Sequence, residues 1–132
     1  MPELIAIAAG SIVLLVLIQL AQKRTTNINR AYYQKKWLEI KTLERTSAAA
    51  RRLAVIEADK TLDRALKDLN FKGATMSDRM RAAGQLLGKV DNVWYAHKLR
   101  NRLVHEETKP KAGDIRRAIH AYQAALKKLG AL

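Results

Sequence analysis

The hydrophobic residues of this chain follow two different patterns. Residues 4–20, "LIAIAAGSIVLLVLIQL", contain no charged side chain, whereas later apolar residues recur at helical spacing among charged ones. Together with Ala21, the first run would span roughly 27 Å as a helix at about 1.5 Å per residue, which is close to the thickness of a bilayer's hydrocarbon core. We therefore predict a single transmembrane helix over residues 4–21, preceded by a short extracytoplasmic N-terminus of residues 1–3.

The residues beside this run indicate that it is retained and which way it points. A cleaved signal peptide has a basic start and a shorter apolar core, but this chain starts with "MPE". Lys23, Arg24 and Arg30 follow the run, in a basic linker over residues 22–31. Because positive residues stay on the cytoplasmic side, we predict a single-pass protein of the cell membrane with its N-terminus outside and its C-terminal domain in the cytoplasm.

The rest of the chain, residues 32–132, has the periodicity of amphipathic helices. A long region runs from Tyr32 to Asn70, and "RTSAAA" (45–50) either divides it into two helices or is an exposed, Ala-rich middle. The predicted core residues of this region are Trp37, Leu38, Ile40, Leu43, Leu53, Ile56, Leu62, Leu66 and Leu69. Gly73 is the expected C-terminal cap.

Turn and capping residues divide the remainder. Thr75 with Asp78 predicts the start of a helix over 76–87, and Gly88 is a weak breaker before a helix over 89–106. "ETKPKAGD" (107–114) predicts a loop, after which Asp114 is the expected N-cap of a helix over 115–129 that Gly130 ends. Short connections between such helices predict an all-α protein, namely an antiparallel bundle of four to five helices behind the transmembrane helix.

Composition limits the chemistry open to this chain. Its 132 residues are enough for one domain, and 48% hydrophobic residues are enough for a packed core. There is no cysteine, which excludes disulfides, thiolate nucleophiles and cysteine-ligated metal centres. The net charge of +13 attracts polyanions such as RNA, DNA or the anionic face of a bilayer, or serves solubility alone.

Several polar residues fall on an apolar helix face. On a helical wheel of residues 85–106 centred on Val90, the broad arc of apolar side chains also holds His97, Arg100, Asn101 and His105. Burial of an unpaired guanidinium costs several kcal/mol, so Arg100 needs a partner or a pocket. One interpretation is structural, with Asn101 bonded to His105 and Arg100 paired to a buried glutamate.

The spacing of residues does not support a metal site, a Ser-His-Asp site or a glycine-rich phosphate loop. His97 and His105 are eight residues apart, about 12 Å along a helix, which is too far for one metal ion. Neither a Ser-His-Asp site nor a glycine-rich phosphate loop has the expected spacing. His120 reads as an ordinary surface histidine. We predict no metal and no small-molecule cofactor.

The segment "RNRLVH" resembles the Rx4–6H motif of HEPN domains, which are small helical bundles. Arg100 and His105 match the two fixed positions, Asn101 matches a common polar residue after the arginine, and the resemblance covers roughly residues 32–129. It implies metal-independent RNA cleavage at the interface of a homodimer, with Arg100, Asn101 and His105 as the catalytic residues. The transmembrane helix is not part of the usual domain, and some HEPN-like proteins are not catalytic.

These residue types can perform the acid–base chemistry of RNA cleavage. Cleavage through the ribose 2′-hydroxyl needs a proton acceptor, a proton donor and a cation beside the phosphate, which a histidine and Arg100 can supply. Arg100 and His105 lie about 140° apart on an ideal helix, so a complete site needs two copies. We expect His97, Lys98 and Arg102 to contact the nucleic acid.

Two hypotheses follow. The first is a membrane-anchored HEPN-like endoribonuclease, which expects Arg100, Asn101 and His105 at a cleft or a dimer interface. The second is a non-catalytic bundle that binds RNA or anionic lipid, or scaffolds a membrane complex. This second hypothesis expects Arg100 to be sealed in an ion pair within one copy.

Overall fold

The chain folds into helices joined by short connections. The computed structural model describes residues 1–25, 28–88, 91–105 and 109–132, and for residues 20–25 it describes the backbone alone. Within these ranges there are no strands and the helices are α1 (Pro2–Thr25), α2 (Arg30–Thr46), α3 (Ala48–Asp68), α4 (Met76–Ala82), α5 (Gly84–Leu87), α6 (Asp91–His105) and α7 (Ala112–Lys128). The prediction of an all-α protein is confirmed.

Helix α1 is long and apolar enough to cross a membrane, as predicted. None of its residues from Pro2 to Gln19 is buried against the rest of the protein, and the Ser11 hydroxyl donates to the Ile7 carbonyl at 2.9 Å. That bond satisfies the hydroxyl inside the helix, as an apolar surrounding requires. The helix continues to Thr25 and α2 begins at Arg30, so the segment predicted as a linker over 22–31 is helical at both ends.

Four long helices form the bundle, with α3 in contact with α2, α6 and α7. Helices α2 and α3 form an antiparallel hairpin that turns at Ser47. The Arg52 guanidinium, near the start of α3, donates to the Leu103 carbonyl near the end of α6, so these two helices are also antiparallel. The short helices α4 and α5 connect α3 to α6, in agreement with the predicted bundle.

Two helix starts match their sequence signals. The Ser47 hydroxyl accepts from the Ala50 amide at 3.1 Å, so the chain does break within 45–50. Thr75 and Asp78 form the predicted capping box, in which each side chain accepts from the other residue's amide. These bonds satisfy amides that the first helical turn leaves free.

Three helix boundaries differ from the prediction. Helix α3 ends at Asp68, and Asn70 rather than Gly73 takes the left-handed conformation that follows it, with φ 63°. The expected helix over 76–87 is divided at Ala83, and Gly88, with φ 68°, ends it before α6. Asp114 is not the N-cap of α7, which starts two residues earlier at Ala112, and its carboxylate accepts from the Tyr95 hydroxyl at 2.8 Å.

Gly73 has a steric role instead of a capping role. A Cβ atom at this position would lie 2.6 Å from the Asp78 Cβ and 2.8 Å from the Arg79 nitrogen. The Gly73 carbonyl accepts from the Arg79 guanidinium at 2.8 Å. The absence of a side chain therefore lets the connection after α3 press against the first turn of α4.

A bidentate ion pair fixes α4 to α3. Arg79 Nε lies 2.7 Å and its terminal nitrogen 3.1 Å from the two Asp63 carboxylate oxygens. Burial alone would raise the pKa of the Asp63 carboxyl, but the hydrogen bonds from Arg79 and Lys67 outweigh it and lower this pKa below its usual value. Because Ser77 belongs to α4, the pair also fixes the position of that serine.

The core lies between the four long helices and is rich in small side chains. Nine of the buried apolar residues among those described are alanines. Of the predicted core residues, Trp37, Ile40, Leu62 and Leu66 are buried. Leu43 and Leu69 pack against the core and Ile56 is partly buried.

Two predicted core residues are wrong. Leu38 is 69% exposed and Leu53 is 44% exposed. On α2 the buried stripe runs through Tyr33, Trp37 and Ile40. Leu38 lies about 100° around the helix from Trp37, which places it outside that stripe.

Candidate functional site

A buried carboxylate organises the polar residues of α6. Asp59 lies on α3 between the buried residues Val55 and Leu62 and is only 2% exposed. Its Oδ1 lies 2.8 Å from His97 Nδ1 and accepts from the Tyr122 hydroxyl at 2.7 Å. Its Oδ2 lies 3.3 Å from Arg100 Nε. A buried carboxylate needs such partners, because its desolvation otherwise costs several kcal/mol.

The Arg100 side chain is held by two groups. The contact of its Nε with Asp59 is ionic, since this buried nitrogen makes no hydrogen bond among the described residues. Its terminal nitrogen donates to the Asn101 side-chain oxygen at 2.9 Å. The side chain as a whole remains 27% exposed although its Nε is buried, so the guanidinium is fixed in place and part of the side chain is reachable from outside the bundle.

His97 lies inside the network. The residue is 8% exposed, and its Nε2 lies 3.5 Å from the Ser77 hydroxyl on α4. Because a carboxylate only accepts hydrogen bonds, the pairing with Asp59 places the His97 proton on Nδ1 and leaves Nε2 to accept from Ser77. The His97 imidazole thus connects Ser77 on one side to Asp59 on the other, although the spacing of these residues in the chain did not predict such a site. The contact joins α4 to α6 at the limit of hydrogen-bond distance.

Tyr122 brings α7 into the same network. Burial, the charge of Asp59 and the hydrogen bond to it all raise the pKa of the Tyr122 phenol well above its usual value. The phenol therefore stays protonated and keeps donating to Asp59 throughout the neutral range. Through Asp59, the side chains of α3, α6 and α7 are held in one relative position.

Three of the other predicted site residues lie outside this network. His105, at the end of α6, is exposed, as are Lys98 and Arg102, whereas Asn101 is half-buried and bonded to Arg100. The structure thus brings Arg100 and Asn101 into contact and leaves His105 apart from them at the surface. His97, which we expected to contact nucleic acid, has both ring nitrogens directed at protein groups.

The buried face of α6 differs from the predicted one. The buried residues are Val93, Ala96, His97, Leu99 and Leu103, so the face is centred near Arg100. This is about a quarter turn away from the face that a wheel centred on Val90 gave. Val90 itself lies outside the described residues. Val104, an apolar residue of α6, is 47% exposed.

Sequence reasoning missed Asp59, Tyr122 and Ser77. A usable signal existed for Asp59, because it follows Val55 by four residues and precedes Leu62 by three, which puts a carboxylate on the apolar stripe of α3. Ser77 and Tyr122 gave no such signal. Their roles depend on contacts between residues that are 20 and 63 positions apart in the chain.

The fixed guanidinium of Arg100 suits the binding of an anion, because it can hold a phosphate oxygen. An exposed histidine, His105, lies on the same helix. No group of three metal-ligating side chains occurs in the part of the chain that the structure describes. Comparisons with protein-family models, curated proteins and solved structures gave no match, so the site has to be interpreted from its own geometry.

Proposed function

We propose that this chain is a membrane-anchored, HEPN-like endoribonuclease that acts as a homodimer without a metal ion. The observation that carries the proposal is the way in which the Arg100 side chain is held. Asp59 and Asn101 hold its guanidinium in one orientation, and 27% of the side chain still faces outward. Fixed cations of this kind stabilise the charge that develops on a phosphate during cleavage.

The proposed reaction uses the RNA itself as the nucleophile. The ribose 2′-hydroxyl gives its proton to His105, and its oxygen attacks the adjacent phosphorus. The bond from phosphorus to the 5′-oxygen breaks, that oxygen takes up a proton, and a 2′,3′-cyclic phosphate remains. Arg100 holds the phosphate oxygens and Asn101 maintains the orientation of Arg100. The two proton transfers require two imidazoles, one from each copy.

Helix α1, the proposed membrane anchor, supports a location of the protein at the cell membrane. Residues 4–19 of α1 carry no charge and are exposed, and the basic residues of the chain all follow residue 22. By the positive-inside rule, the N-terminus lies outside and the bundle in the cytoplasm. Since the chain has no cysteine, single cysteines introduced by Glu3→Cys or Lys127→Cys can test this. A membrane-impermeant maleimide added to intact cells is expected to label only the former, and the reverse pattern would refute this orientation.

The catalytic proposal is tested with the full chain in phosphatidylcholine nanodiscs. Cleavage of a fluorescent RNA is measured with EDTA present, and a 2′-deoxy copy of the same sequence serves as the resistant substrate. Loss of a general acid–base lowers a rate by about 10²–10⁴-fold, and we expect a loss of this size for His105→Ala. The matched control is His120→Ala, which removes an exposed histidine of α7 and is expected to leave the rate unchanged.

The second candidate function is a non-catalytic bundle, which the ion pair of Arg100 with Asp59 inside one copy favours. In that case the wild-type protein leaves every RNA uncut, and Arg100→Lys, which keeps the charge, lowers only thermal stability. Intact RNA after prolonged incubation with folded, dimeric wild-type protein would therefore refute the catalytic proposal.

A further inference from the structure

Three hollows with shared wall residues lie at the end of the bundle where the α2–α3 hairpin turns. The central one, of about 530 Å³, lies between the starts of α3 and α7, and Arg51, Arg52 and Lys109 are part of its wall. A second hollow, of about 220 Å³, shares Arg51 with it and extends along α2. A third, of about 190 Å³, shares Lys109 and extends along the end of α6. We infer from the shared residues that the three hollows belong to one groove, which we call the hairpin groove.

The described lining of the hairpin groove is strongly basic. It contains eight cationic side chains and two carboxylates, Glu44 and Asp114. Both carboxylates are already engaged, Glu44 with Lys41 and Asp114 with the Tyr95 hydroxyl. The groove therefore presents a large excess of positive charge, which attracts a polyanion.

Most of the cations of the groove have no carboxylate partner among the described residues. Six of them form no ion pair with a described carboxylate, namely Arg45, Arg51, Arg102, Lys109, Lys111 and Arg116. Charges gathered without partners along one groove are what a bound chain of phosphates would neutralise.

The position of the groove favours RNA over lipid. Its second hollow is lined by the last turns of α2, whose first turn directly follows the anchor in the chain. The length of α2, 17 residues or about 25 Å, separates the two ends of that helix. The third hollow is lined by Arg102 and Leu103, which precede His105 by three and two positions on α6. Less than one helical turn therefore separates the lining of this hollow from the residue that the proposed reaction requires.

We propose that the hairpin groove binds the phosphate backbone of an RNA strand and leads it to His105. The choice of RNA as the ligand rests on the proposed function. The described lining contains no aromatic side chain on which a base could stack. Binding is therefore independent of sequence and steeply dependent on salt.

The test measures binding separately from cleavage. Full-length protein carrying His105→Ala, in phosphatidylcholine nanodiscs, is titrated into a fluorescent oligouridylate of about 12 nucleotides over a range of salt. The groove variant adds Arg51→Gln, Lys109→Gln and Arg116→Gln. A control variant instead adds Lys35→Gln, Lys72→Gln and Lys127→Gln, which remove the same charge from exposed positions outside the groove.

We expect the groove variant to bind roughly tenfold more weakly or worse at low salt, with a salt slope smaller by about 2, at ~0.7 per lost phosphate contact. The control variant keeps the slope of its parent. Lys109→Glu alone, at an exposed position before α7, is a second test that does not depend on folding of the triple variant, and it is also expected to weaken binding.

Equal binding by the groove and control variants, or no binding of RNA by their parent, overturns the proposal. So does a groove variant that loses affinity for short-chain phosphatidylglycerol but keeps its affinity for RNA, since the groove is then a lipid site. Binding of RNA in the groove by a wild-type protein that cuts none would refute the catalytic proposal alone and leave the groove assignment intact.

Discussion

Replacement of Asp59 by asparagine tests the central claim about the polar network. The amide has nearly the same shape as the carboxylate and still accepts from one or two donors, but it removes the charge that Arg100 faces at 3.3 Å. Removal of one partner from a fully buried ion pair costs about 3–5 kcal/mol. Because the Arg100 side chain is 27% exposed, water reduces this cost, and we expect a loss of about 3 kcal/mol in the free energy of unfolding.

Such a loss is large enough for a simple assay. For a domain of this size, 1 kcal/mol corresponds to a shift of about 4 °C in the melting temperature, so Asp59→Asn is expected to lower it by about 12 °C. Trp37 and Trp94 both belong to the bundle, so tryptophan fluorescence of the full chain in nanodiscs reports the melting of the bundle and not of α1. The control is Glu39→Gln, the same chemical change in an exposed pair with Lys36, which is expected to cost less than about 0.5 kcal/mol.

A double-mutant cycle identifies the interaction itself. Arg100→Met alone leaves Asp59 without its cation, whereas in the Asp59→Asn background it removes a guanidinium that has already lost its partner. We therefore expect the two changes to be coupled by about 1–3 kcal/mol. If their effects simply add, or if Asp59→Asn melts within about 2 °C of the wild type, the claim that this ion pair organises α6 is wrong.

Two further predictions concern α4 and its supports. Gly73→Ala puts a Cβ 2.6 Å from that of Asp78 and is expected to lower the free energy of unfolding by about 1–3 kcal/mol. Gly84→Ala, where nothing lies within 4 Å, is expected to stabilise helix α5 slightly. Equal melting temperatures for these two variants would contradict the steric argument. Asp63→Asn is expected to destabilise the protein at neutral pH. Since the folded-state pKa of Asp63 is lowered, its contribution is present above the unfolded pKa of 3.8 and is lost as the pH falls through the folded value. The difference in melting temperature between the wild type and Asp63→Asn therefore shrinks below about pH 4. A difference that stays constant down to about pH 2 would refute this role of the Asp63 charge.

Local signals in the sequence predicted much of the fold. The apolar run of α1 and the Thr75–Asp78 capping box depend on residues close together in the chain, and the structure has both. For residues 45–50 the sequence left two alternatives open, and the structure has the division into two helices, at Ser47. Helix ends were harder to predict where a distant side chain intervenes. Asp114 is a good N-cap by residue type, but Tyr95, 19 residues earlier, engages its carboxylate.

The candidate site was less predictable, for a physical reason. The motif residues Arg100 and Asn101 were visible in the sequence, but the partner of Arg100 was expected to be a glutamate and is Asp59, 41 positions away. The wheel assumed that the apolar side chains of α6 define its buried face. In the structure, His97 and Arg100 contact a buried carboxylate on α3, and periodicity within α6 alone does not reveal that partner.

The nine alanines of the core have a consequence for how this protein can change. Small side chains let helices approach closely, toward the short end of the usual range of about 8–10 Å between axes. Truncation has little left to remove at such positions, whereas even one added methylene must displace a neighbouring backbone. Substitution in the core is therefore restricted in one direction, because changes that enlarge a side chain at these nine positions are disfavoured.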